Sequence, residues 1–268
     1  MYSFVKDGIT QSLFSAYMTC PKKFDMMTKG WAFPSSAPLE LGIQGHKCLE
    51  KKKINIKFEG LTTSKETQEL IRAALNAIIP AYLLLYKDNF GHTPEHVFNI
   101  PFAGTRLRGK IDDIVCKKNG DWLLETKFKS RIDESSIEER LSLDWQCNFY
   151  AIAFLYEFGH YPEGVIYDVV RYPSLKGNPK ELYENTKKDI EARPEFWFKR
   201  WEIEFDAQNL ALFTGELIQK IEEAMGRKIW YKNQCACASG YSGCPFINYC
   251  TTGSTAGLIK KELFSELL

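Results

Sequence analysis

The sequence lacks any run of the roughly 20 apolar residues that a membrane helix needs. Its most apolar stretches, around Ile78–Tyr86 and Tyr150–Tyr156, are much shorter, so no span and no membrane partner are expected. Met1–Gln11 carries Lys6 and Asp7 without an apolar stretch followed by small residues, so no secretory leader is expected either. An excess of one charge is also missing. Lys plus Arg total 35 against 34 for Asp plus Glu, a net charge of +1, so any polyanion site has to be a local patch. No repeat, low-complexity tract or Pro/Ser linker divides the 268 residues, and one domain spanning 1–268 is the simplest organisation. Apolar residues at 44% and charged residues at 26% exclude wholesale disorder.

Cysteine is present in some number. With no secretory signal, a reducing cytoplasm is expected, where thiols are more often buried, catalytic or metal-bound than paired. Of the eight, Cys235, Cys237, Cys244 and Cys250 cluster near the C-terminus, while Cys20, Cys48, Cys116 and Cys147 are scattered. Cys48, Cys116 and Cys147 are expected to pack as small apolar residues.

Residues 1–90 read as mainly helical: Ser12–Lys29 interrupted by Pro21, Leu39–Lys53, and Lys65–Asp88 behind a Ser64-x-x-Thr67 cap. Residues 91–205 change texture. Val97–Phe102, Leu107–Cys116 and Trp122–Phe128 are short and rich in β-branched or aromatic residues, and Gly104 and Asn119-Gly120 mark turns between antiparallel strands. A helix over Leu143–Phe158 and strands over Val165–Tyr172 and Glu195–Phe205 follow. Residues 206–268 hold a helix over Ala207–Met225, the cysteine segment and a tail, Thr251–Leu268, with amphipathic spacing. The expected class is mixed α/β, a central mixed sheet flanked by helices.

The chemistry concentrates on two strands. Gly109-Lys-Ile-Asp112 lies on one and Glu125-Thr-Lys127 on the next. Side chains alternate along a strand, so Glu125 and Lys127 share a face. If Asp112 lies opposite, two carboxylates supply hard oxygen ligands for Mg²⁺ or Mn²⁺, and the Thr126 carbonyl can complete the shell. Lys127 would orient a water or neutralise phosphoryl oxygens. Asp113 is expected to face away from this centre. Gly42-Ile-Gln-Gly-His46 puts an imidazole on a helix as a further ligand, against the simpler reading of a core or capping histidine. Gln146 and Tyr150, four apart, share a helix face and can hydrogen-bond phosphate or a base, unless Tyr150 belongs only to the apolar stripe.

The ordered set Gly-x-x-x-His46, Gly-x-x-Asp112, Glu125-x-Lys127 and Gln146-x-x-x-Tyr150 resembles the RecB-type branch of the PD-(D/E)XK nucleases. It differs from the name-giving motif only in Ile111, which stands at the proline position. The resemblance implies a restriction-endonuclease-like core, with His46, Asp112 and Glu125 as metal ligands, Lys127 as catalytic lysine, and Gln146 and Tyr150 orienting substrate. Cys20 before the core, with Cys237, Cys244 and Cys250 after it, resembles the 4Fe–4S staple of the same branch, shared by AddB-like, CRISPR-adaptation and phage-encoded exonucleases. Cys235 is the alternate to Cys237, and Zn²⁺ is the rival metal for four thiolates.

That resemblance implies a divalent-metal-dependent deoxyribonuclease, an exonuclease ahead of an endonuclease, in recombination, repair, replication or CRISPR adaptation. Its partners would be DNA ends or single strands, and its setting bacterial, archaeal or phage-infected cytoplasm. The alternative is a DNA-binding assembly module with a structural cluster and little nuclease activity. Lys51–Lys53, Arg106, Arg108, Lys110, Lys129 and Arg131, with Trp122 and Phe128, are candidates for tracking the backbone and stacking bases.

Overall fold

The computed structural model describes every residue except 1, 59–62, 88–89, 133, 135–136, 238–242 and 268, and every other side chain except those of 138 and 266. After α1 (Phe4–Asp7) and β1 (Ile9–Thr10), the Thr10 hydroxyl accepts the Leu13 amide at 3.2 Å and starts α2 (Gln11–Thr19). A side-chain oxygen there satisfies an amide that a helix start leaves unpaired. Cys20 is extended, and α3 (Pro21–Thr28) restarts with proline in its first turn, where a missing N–H costs nothing. β2 (Trp31–Ala32) and α4 (Ala37–Glu50) follow, and Ser64 caps α5 (Lys65–Leu85) through the Thr67 amide at 3.3 Å.

Three antiparallel strands come next: β3 (Gly91–Phe102), β4 (Thr105–Lys117) and β5 (Gly120–Lys129). Phe102 pairs with Thr105 and Lys117 with Gly120, so the two turns are Ala103-Gly104 and Lys118-Asn119; Gly120, expected in the turn, already belongs to β5. α6 (Ile137–Leu141) and α7 (Trp145–Phe158) lead back to β6 (Gly164–Arg171), parallel to β5.

α8 (Pro179–Ala192) has no counterpart among the expected elements. It buries only Thr186 and Ile190, too little for an apolar stripe, although Asn178 and Pro179 form a recognisable start. The expected strand over Glu195–Phe205 is shorter. Pro194 sits in the first turn of α9 (Pro194–Trp197), and only β7 (Phe198–Glu204) is extended, antiparallel to β6. α10 (Ala207–Met225) has the expected bounds.

The tail departs from the expected amphipathic spacing. After α11 (Gln234–Cys237) and α12 (Ile247–Thr252), Gly253 and Gly257 take positive φ and stop the helix. β8 (Ile259–Lys260) then pairs with β2, and a 3₁₀ turn covers Ser265–Leu267. Leu263 and Leu267 still pack on the core.

The six-stranded sheet is mixed. β4 pairs with β3 along one edge; along the other it takes parallel β1 at Leu107–Arg108 and antiparallel β5 from Asp113 to Lys117. Helices cover both faces. One core joins α2, α7 and α10 to the sheet through Phe14, Phe149, Ile111, Val165 and Leu217; the other joins α4 and α5 through Leu41, Ile71, Ile78, Val170 and Phe198. Burying each such side chain contributes roughly 1.5–3 kcal/mol. α5 is long and apolar enough to cross a membrane, by length and composition, but half of that stretch is buried inside the fold. The expectation that no segment reaches that length is corrected, because Lys65–Leu85 adds small and uncharged residues to its apolar run.

Candidate active site

The site lies where two strands part. Pairing of β4 with β5 ends at Asp113–Leu124, so Asp112 and Glu125 are the next opposed positions, and they stand in the opening of the fork. Past the end of its pairing with β4, the Thr126 amide donates to Asp112 Oδ2 at 2.8 Å. Glu125 and Lys127 project together, as residues two apart on a strand must. The Lys127 ammonium donates to Glu125 Oε1 and, at 2.6 Å, to Gln146 Oε1. Gln146 Nε2 in turn donates to Glu125 Oε1 at 2.9 Å and to the Tyr150 hydroxyl at 3.2 Å.

Asp144 starts the helix that supplies this pair: its Oδ1 accepts the Gln146 and Cys147 amides, each at 2.9 Å. Residues Cys147–Phe154 of α7 are all buried, so the helix sits rigidly against the sheet. His46 arrives on α4, with Nδ1 3.4 Å from Asp112 Oδ2. Gly45 permits that approach, since a Cβ there would fall 2.3 Å from the Phe128 ring; Gly109 likewise makes room for the Phe98 ring at 2.4 Å. Gly45 and Gly109 therefore serve close packing, whereas a Cβ on Gly42, the glycine of the Gly-x-x-x-His46 motif, would meet nothing within 4 Å.

Electrostatics separate the groups. Burial first, and its neighbour Asp112 second, push the Glu125 carboxyl up to about 7; burial does the same for Asp112, also to about 7. Burial alone would lower Lys127, but Glu125 and Asp112 outweigh it and hold the ammonium charged. Burial lowers His46, favouring the neutral imidazole that can ligate a metal. Glu125 Oε2 is buried and has no hydrogen-bond partner. An orphaned carboxylate oxygen beside a second carboxylate fits a hard divalent cation. Among the described residues no three His, Cys, Asp or Glu side chains are grouped so as to hold a metal ion, either here or at the cysteines.

A cavity of about 730 Å³ opens onto this centre, lined by His46, Asp112, Gln146, Tyr150, Lys47 and Lys110. Glu95 also lines it, a residue the motifs do not indicate. It lies opposite Asp112, where the β3–β4 ladder skips one pair; its φ is +53°, unusual outside glycine, and it forms an ion pair with Lys110. Beyond this break β4 changes face. Ile111 packs in the α7-side core, whereas Val115 packs with Trp122 and Ile166. Asp113 accordingly turns away and meets His92 at 2.6 Å.

Several candidate substrate contacts are corrected. Trp122 is buried beneath Lys117, and Phe128 lies against Gly45, so neither ring is presented to a base. Arg106 donates to Asn99, and Arg108 donates to the Asp7 carbonyl and lies over Phe264. These contacts fold the chain. A surface aromatic and a buried one look alike in sequence.

The cysteines gather at the far end of α2. Cys20, Cys237 and Cys244 line a cavity of about 110 Å³, and Cys20, Cys244 and Cys237 all act electrostatically on the Cys250 thiol. Asn233 ties the ends together: its amide donates to Cys20 Sγ at 3.4 Å and its Nδ2 to the Thr19 carbonyl at 2.9 Å. Cys235 is exposed and does not line the cavity. Cys48 and Cys147 are buried as expected; Cys116 is exposed, because it lies past the change of face on β4.

A family model described as the PD-(D/E)XK nuclease superfamily matches residues 9–251. The chain belongs to that superfamily of metal-dependent nucleases. No particular curated protein matches it. Among solved structures it is similar to a "putative exonuclease" from Eubacterium rectale, at 9% identity over 91% of this chain and 93% of that one, with a TM-score of 0.47. It is also similar to the protein SSO0001, at 13% identity over 77% and 82%, with a TM-score of 0.32.

Proposed function

We propose that this chain is a divalent-metal-dependent DNA exonuclease, with Asp112, Glu125, the Thr126 carbonyl and His46 holding Mg²⁺ or Mn²⁺. The carrying observation is the buried, unpartnered Glu125 Oε2 beside Asp112, with Lys127 bonded to the other oxygen of the same carboxylate. A bound divalent ion supplies a deprotonated water and counter-charge for the phosphorane-like transition state. Lys127, fixed between Glu125 and Gln146, is positioned to neutralise the phosphoryl oxygens or to direct the water. The Thr126 amide keeps the Asp112 carboxylate turned into the fork. Gln146 and Tyr150, which line the larger cavity, orient the incoming phosphate.

Cys20, Cys237, Cys244 and Cys250 are assigned to a 4Fe–4S staple, with Zn²⁺ as the rival occupant. Cys20, Cys237 and Cys244 line one small cavity and all three act electrostatically on Cys250, which supports the set. The setting proposed is the cytoplasm, in DNA recombination, repair, replication or CRISPR adaptation. Digestion of end-labelled linear DNA with Mg²⁺ or Mn²⁺, wild type beside Lys127→Ala, tests the assignment. Stepwise shortening by wild type and a loss of at least about 100-fold in the variant are expected. Equal digestion by both proteins overturns the site, and cutting of covalently closed circles overturns the exonuclease mode.

A further inference from the structure

The carboxylate centre has a second opening. A cavity of about 300 Å³ reaches it from the α5 face, opposite to the face that carries Lys127. His46, Glu95 and Asp112 line this cavity and the larger one alike, so the two meet at the centre. Of its other lining residues, the hydrolysis described above uses only Thr126.

Three features of its wall call for a ligand. Asp113 shares a hydrogen bond with His92 through Oδ2, but its Oδ1 is buried without a partner. Tyr86 stands in the wall with the Arg200 guanidinium 3.9 Å from its ring centroid. Arg200 is itself clamped by both oxygens of Asp168, at 2.7 and 2.6 Å, which fixes the ring in place. Lys52 and Lys87, both exposed at the rim, form no ion pair among the described residues.

An aromatic wall, an unpaired acceptor and two ammonium groups together match a base, the N–H groups on its edge, and a phosphate. The volume lies at the low end for small-ligand sites and suits one nucleotide rather than a duplex. We propose that this cavity binds a single nucleotide of the substrate strand, on the side of the scissile phosphate away from Gln146 and Tyr150. The inference rests on the nuclease reading of the centre. Every base offers at least one N–H on its pairing edge, so Asp113 would hold any of them and sequence preference would be weak.

The test is titration of the full chain with deoxyadenosine monophosphate, with Ca²⁺ present, followed by calorimetry. One nucleotide bound per chain is expected for wild type. Tyr86→Ala should bind at least about tenfold more weakly, as for loss of a stacked ring, while Tyr86→Phe should match wild type. Because Tyr86→Ala also strips Arg200 of its aromatic neighbour, Lys87→Ala serves as a second variant. It should weaken the nucleotide but leave deoxyadenosine unaffected. Absence of nucleotide binding by wild type, or equal affinity in Tyr86→Ala and Lys87→Ala, overturns the proposal. If Lys127→Ala loses nuclease activity while wild type binds no nucleotide, the cavity assignment fails alone. If Lys127→Ala digests DNA as wild type does, the nuclease reading fails, and a place for a substrate nucleotide fails with it.

Discussion

The two oxygens of Glu125 sit in different surroundings: Oε1 receives Lys127 and Gln146, and Oε2 receives nothing. Glu125→Gln keeps the shape and removes the charge. It should abolish Mn²⁺ binding, read by calorimetry, and reduce digestion by about 100-fold or more. The carboxyl pair also links metal to stability. Both carboxyls are pushed up to about 7 from ordinary values near 4, so between those limits the folded chain holds protons the unfolded chain has released. Metal-free stability should therefore fall as pH rises from 5 to 8. Asp112→Asn should flatten that fall, and Mn²⁺ should offset it in wild type; melting temperatures at both pH values in chelator check this. At this scale Glu125 with Lys127, and Gln146 with Tyr150, were legible as pairs because strand and helix periods put each pair on a shared face, while Asp112 joined them only through an expected strand pairing and the family resemblance. Glu95 was not, since it meets Asp112 through strand pairing and a backbone conformation that no local pattern announces.

Elements carry these residues to one place, and close contacts set their positions. At Gly45 an added methyl would meet the Phe128 ring, so Gly45→Ala should force α4 away from β5 and move His46 with it. A loss of about 1–3 kcal/mol in urea unfolding is expected, together with weaker Mn²⁺ binding. A result with lowered stability and unchanged metal affinity would place His46 outside the ligand set. Asp144 has a different effect. Asp144→Ala removes the oxygen that holds the Gln146 and Cys147 amides, at a cost of about 1 kcal/mol, and should loosen Gln146 enough to slow digestion. Long elements with strong periodicity, such as Ala207–Met225, could be read directly. α8 escaped because it packs on the surface with few apolar residues, and the tail because its spacing matched a helix while its glycines did not allow one.

Across the whole molecule, residues more than 200 positions apart are brought together at Cys20 and Asn233. Cys250→Ser should lower bound iron and the melting temperature together, measured on anaerobically purified protein; full retention of iron would remove Cys250 from the staple, and bound zinc in its place would decide for the rival metal. About half that separation lies between β1 and its partner strand, where Ile9 pairs with Leu107 on a part of β4 that β5 no longer reaches. The sequence by itself determined the class of fold, the ordered motif and the residue types of the centre, because alternation along strands and turns along helices are local consequences of backbone geometry. Only the tertiary structure decided which aromatic rings are buried, which basic groups bind the chain itself, and that the centre opens through two cavities. Those depend on contacts between elements far apart in the chain, and side-chain chemistry alone does not encode them in any short window.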